Sequence, residues 1–303
     1  YLPLAGLVLA LAVAARRLSA RASVVSAGAA LAVAFVFLPA TYARAATYQD
    51  EVRFWVEAAE RAHPHNTMTR SALAGVVRDA GQTDLACRLF DAVRAIQERS
   101  GREGTVSYRR ARENLAACWA RLGRYDEARA LYEALVREHG DVGRVHMGLA
   151  FVKLHQLDFD GAEGDFRRAV ALDLQLAAFA RPALAQVAAA KADAPAYAGE
   201  GAAAADPLRR ASFYVRVGRL ADAEDAFVAI ADAPGASARA RHEAFYFLVR
   251  HGSVPHARRA AEACSAVEGC DLMDGWERLS ARERRWKRVG ALLGRIEALA
   301  AAR

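Results

Sequence analysis

Lysine is almost missing from this chain: of 42 basic residues only Lys153, Lys191 and Lys287 are lysine, the rest being arginine. With the abundant alanine, that bias reflects GC-rich coding rather than selection for phosphate contacts. The basic residues are interleaved with Asp and Glu instead of lying along one stripe, so the net charge of +7 does not argue for nucleic acid. Proline is scarce, with 8 residues in 303, and Ala, Leu and Arg dominate, which favours helix throughout and leaves little expectation of strand. Four cysteines are too few for a disulfide scaffold in a chain of this length. His63 and His65 have no Cys, Asp or Glu at a ligand spacing, and His251 and His256 fit no zinc pattern, so no metal is expected. No glycine-rich loop could cradle a phosphate and no serine sits in a nucleophile elbow; neither a cofactor nor a catalytic residue is expected.

The longest apolar stretch is Ala22–Ala43, 22 residues without a charge. As helix it would reach about 33 Å, enough to cross the roughly 30 Å hydrocarbon layer. Leu2–Ala15 gives 14 apolar residues before Arg16, about 21 Å, which is too short unless the segment continues upstream. Residues 1–46 are therefore expected to be a transmembrane hairpin, a piece of a larger membrane domain. The loop between the spans carries Arg16, Arg17 and Arg21, and the positive-inside rule puts it in the cytoplasm and everything after Ala43 outside it. Cys264 and Cys270, six apart near a helix end, could then bond in an oxidising compartment, whereas Cys87 and Cys118 read as core packing.

Beyond the spans one grammar recurs. Leu122-Gly123-Arg124-Tyr125-Asp126-Glu127-Ala128 is answered by Val217-Gly218-Arg219-Leu220-Ala221-Asp222-Ala223. Ala128 to Ala162, Gly218 to Gly252 and Ala223 to Ala257 are each 34 residues apart. The pattern resembles the tetratricopeptide repeat (TPR), a pair of antiparallel helices whose apolar face is covered only when a neighbour stacks on it. The expected fold is all-α: two N-terminal transmembrane helices, then a TPR-like helical-hairpin solenoid with a C-terminal capping helix. Repeats are expected over 47–192, with Asn66 capping the first complete one and Leu157 standing where the third should have its turn glycine. A flexible Ala/Gly-rich loop is expected at 193–206, and further repeats with the cap at 207–303. The cap is expected to open at the capping-box pattern Ser280-Ala281-Arg282-Glu283 and to show a basic face to water.

In a TPR solenoid the first helix of each pair lines the inner groove. Registering the repeats on their Gly and Ala marks points Arg78, Arg110, Glu113, Arg144, Phe151, Arg209, Arg239, His242 and Tyr246 inward. Such a basic surface with some aromatic area suits an extended or acidic peptide, so a protein or peptide is the expected partner.

Tyr1-Leu2-Pro3-Leu4-Ala5-Gly6-Leu7 and Tyr48-Gln49-Asp50-Glu51-Val52-Arg53-Phe54-Trp55 resemble the end of the membrane region in the transmembrane and tetratricopeptide-repeat-containing glycosyltransferases. That resemblance implies a polytopic sugar transferase of the GT-C type with a lipid-linked donor, whose catalytic acidic residues lie upstream of Tyr1. This chain would then be its acceptor-binding or scaffolding end, in a bacterial inner membrane with the repeats outside the cytoplasm. The alternative is a membrane-anchored TPR scaffold for envelope assembly with no enzyme attached.

Overall fold

Helix accounts for all the regular structure among the described residues, which in this computed structural model are 48, 50–63, 65–197 and 206–301. The expected transmembrane hairpin at 1–46, Pro64, and the 198–205 part of the expected loop lie outside them. Among the described residues no helix is long and apolar enough to cross a membrane. The chain divides into two compact units, Tyr1–Phe54 and Trp55–Arg303. In the first, the Tyr48 and Phe54 rings meet at 5.3 Å and Asp50 Oδ1 accepts the Arg53 N–H at the start of α1 (Glu51–Arg61).

In the second unit, hairpins follow one another: α2 (Met68–Asp79) and α3 (Thr83–Arg99), α4 (Val106–Arg121) and α5 (Tyr125–His139), α6 (Gly143–His155) and α7 (Phe159–Leu172). After a short 3₁₀ turn at Leu174–Leu176 come the single long helix α8 (Ala177–Tyr197), the pairs α9 (Pro207–Arg216) with α10 (Leu220–Asp232) and α11 (Ala238–Arg250) with α12 (Val254–Ser265), then α13 (Met273–Ala291) and α14 (Leu293–Ala301). The start of the first pair is held by Asn66, whose Oδ1 accepts the Met68 N–H at 3.1 Å.

The repeat marks do the packing assigned to them. Ala86, Ala128, Ala162, Ala223 and Ala257, one on each second helix, are all fully buried. One turn further on, Phe90, Tyr132, Phe166 and Phe227 are buried too, so a small residue lets the helices approach and a ring fills the widening gap. The turns need a left-handed residue, and Gly81, Gly123 and Gly218 supply it at φ of 86°, 78° and 73°. Leu157 occupies the same position at φ 64°, alone among the described non-glycine residues.

Four readings from the sequence are corrected. Residues 193–197 are helical: α8 continues past Pro195 because Tyr197 packs on Phe213 at 5.6 Å and Asp193 pairs with Arg216, fastening that end to α9. The last segment does not begin at Ser280, which lies inside α13; the helix starts earlier, placing Leu279 in the core formed by α11 and α12. Cys87 and Cys118 are bonded to each other, across the contact of α3 with α4, with Cα atoms 5.6 Å apart; Cys264 and Cys270 form the second disulfide.

The fourth correction concerns the end of the solenoid: Arg284, Lys287 and Arg288 of α13 face water as expected of a cap, but the end is not free. α14 instead packs on α3, a helix of the first complete repeat. Arg295 pairs with Glu60 on α1, and Arg88 on α3 pairs with Glu297 on α14 at 3.5 Å. The repeats therefore close on themselves.

Candidate functional site

The closure gathers the turns between paired helices around one centre. A Cβ on Gly123 would stand 3.8 Å from the Ala221 Cβ, bringing the second pair's turn against that of α9 and α10. Arg219, in that turn, pairs with Asp222 at 2.6 Å and lies over the rings of Tyr125 and Tyr214, 5.8 and 5.5 Å from their centroids. Burial pushes the Tyr125 phenol up to about 12, so it is neutral here.

A cleft of about 860 Å3 opens at this hub, lined by the turns of α2–α3, α4–α5, α9–α10 and α11–α12 and by one face of α13. Six arginines, Arg78, Arg121, Arg250, Arg278, Arg282 and Arg285, face three carboxylates, Asp79, Asp84 and Glu224. Arg282 is fixed as a cap on α11: its guanidinium donates to the carbonyls of Leu248 at 3.1 Å, Val249 at 2.7 Å and Gly252 at 2.6 Å. Glu224 accepts from the Ser253 N–H at 2.7 Å and contacts His256 Nδ1 at 2.6 Å. Burial and the neighbouring charge of Arg78 hold the Arg121 guanidinium below its ordinary range. Burial, then the charges of Arg250, Arg121 and Arg282, lower the His251 imidazole in the same way.

The nine residues expected to line an inner groove are placed in smaller groups. Arg78 lies in the hub cleft and pairs with Asp79 at 3.2 Å. Glu113 is buried, held by Arg109 at 3.3 Å and Arg144 at 3.5 Å, so its carboxylate fixes α4 to α6 rather than facing a ligand. Arg110 is exposed on α4, and Phe151 is partly exposed with its edge against Phe166. Arg209 and Arg239 share a second cleft of about 570 Å3 with Tyr197 and Ser212. His242 Nδ1 donates to the Asp271 carbonyl at 2.7 Å and stacks near Tyr246, whose ring also meets Arg250. Sequence reasoning missed the hub arginines of α4, α11 and α13, although one signal was present for two of them: like Arg78, Arg121 and Arg250 stand two or three residues before a turn mark.

With the paired helices, their buried alanine marks and their left-handed turns established, comparison with known families adds one result. Residues 66–137 match the tetratricopeptide repeat family model. The match spans the two helix pairs α2 to α5, and the same pattern of turn and buried alanine continues in pairs that follow. No curated protein matches the chain. The TPR match of this segment suggests a surface for protein–protein interaction.

Proposed function

We propose that the repeats bind a protein or an extended acidic peptide through the exposed residues of their first helices. The observation that carries this reading is the TPR match at residues 66–137, because such repeats typically present a contact surface rather than a reaction centre. Arg110, Arg144, Arg209 and Arg239 supply forked donors suited to carboxylates, and Tyr246 and Phe151 supply ring surface. Selection of extended peptides by display on the purified chain tests it: acidic sequences should be enriched. Arg110→Glu with Arg209→Glu should weaken the best of them at least tenfold with the melting temperature unchanged; equal affinity would refute the basic surface.

The same proposal places the module on the extracytoplasmic side of a membrane, as the acceptor-binding or scaffolding end of a GT-C-like glycosyltransferase. Its supports are the uncharged run Ala22–Ala43, the arginine loop before it, and the pairing of all four cysteines, since disulfides persist in oxidising compartments. A membrane-impermeant maleimide applied to intact cells carrying Ser212→Cys should label that site before lysis. Labelling only after lysis would overturn the topology.

A further inference from the structure

We propose that the hub cleft binds a metabolite-sized multivalent oxyanion, phosphate- or carboxylate-based, through Arg121, Arg250 and Arg278, with Arg282 fixed behind them. This does not rest on the peptide-binding reading, although the Tyr246 ring of that surface touches Arg250.

Positive charge is in excess at the hub. Each carboxylate lining the cleft is already engaged: Asp79 with Arg78, Asp84 with Arg88 at 3.4 Å, and Glu224 with His256 and the Ser253 N–H. Arg121 and Arg278 have no ion pair or hydrogen bond among the described residues, and Arg250 has only the Tyr246 ring. Helix dipoles do not set the sign of the field, because every turn brings one helix C-terminus and one N-terminus to the hub and their partial charges of about half a unit oppose each other. The excess is carried by the guanidiniums.

Geometry adds selectivity. The arginines come from three separate elements: α11 and α13 pack on each other, and the turn after α4, distant in sequence, lines the same cleft, so the guanidiniums meet there from different parts of the chain. Its volume of about 860 Å3 lies within the range of small-molecule sites. Guanidiniums match the oxygens of phosphate and carboxylate with paired donors. Burial first, and the neighbouring arginine charges after it, hold Arg121 and His251 low, and a bound anion would offset the second of these.

The test is calorimetric titration of the full 303-residue chain with pyrophosphate and with citrate, at ionic strength held constant with sodium chloride. Saturable binding is expected, weakened at least tenfold in Arg121→Gln and in Arg278→Gln. Tighter binding of pyrophosphate would assign a phosphate-bearing ligand, and tighter binding of citrate a carboxylate-bearing one. The two variants should also melt higher than the native chain in the absence of anion, since each removes uncompensated charge. Should either variant fail to fold, the His251 imidazole followed by NMR in the native chain keeps the idea open to refutation: saturating anion should raise its titration midpoint. No saturable binding of either anion, binding indifferent to both substitutions, or an unmoved His251 midpoint would overturn the proposal.

Discussion

The Nδ1–H of His155 donates to the Val217 carbonyl at 2.7 Å, tying the end of α6 to the turn of α9 and α10 across 62 residues of sequence. Burial lowers the imidazole below its ordinary 6.5. The folded chain thus binds fewer protons than the unfolded one just below that value, and stability present at higher pH is lost as pH falls. His251 contributes in the same direction. The melting temperature should decline between about pH 7.5 and 5.5, well above the range where carboxylates such as Glu60 and Glu138, held low by Arg295 and Arg112, are protonated. His155→Gln should flatten that decline; an unchanged slope would show that the contact is not coupled to folding.

Two turn glycines separate conformational strain from collision. Gly123→Ala meets only ordinary contact with Ala221 and should cost about 1 to 2 kcal/mol for its left-handed backbone. Gly218→Ala carries the same strain and also drives a methyl into the His155 ring, so loss of that hydrogen bond should add about 1 kcal/mol. Urea denaturation of both should rank them in that order.

Leu157→Gly runs the other way. It removes a partly buried side chain from the core of α6, α7 and α8, but releases strain of about 1 to 2 kcal/mol, so its stability should stay within about 1 kcal/mol of native. A loss of the size usual for core leucine truncation, about 2 to 5 kcal/mol, would mean that packing dominates there.

Ala128→Leu tests the repeat register. Ala128 is fully buried where α4 and α5 approach, and the larger side chain should destabilise by about 1 to 3 kcal/mol by overpacking. A native melting temperature would contradict the register.

The bond between Cys87 and Cys118 spans 31 residues of chain. Cys87→Ser with Cys118→Ser should cost about 2 to 4 kcal/mol, and reduction of the native protein should approach the same value. Equal melts with and without reductant would show that the bond does not form.

The paired helices were legible because their cause is local: alanine and an aromatic one turn apart, then a residue that accepts positive φ, repeated at a fixed period. Asn66 and Leu157 were legible for the same reason. Closure was not, because it is the sum of small rotations over many interfaces, and the residues that carry it, Arg88, Glu297 and Arg295, look in sequence like any solvated charge. The Cys87–Cys118 bond was misread as packing since both sites do lie in the core; that they face each other follows from how α3 stacks on α4. Glu113 was placed by register on the correct helix, but the register does not say that Arg109 and Arg144 close over it.

The seat of α14 on α3 also sets a timetable. A chain made from its N-terminus completes α3 about 200 residues before α14 exists, roughly 10 to 40 s at ordinary synthesis rates. During that interval the surface of α3 that α14 will cover stands open to water or to any factor that attends a growing chain. The first repeat thus waits for the last helix, and premature termination anywhere in between would leave that surface bare.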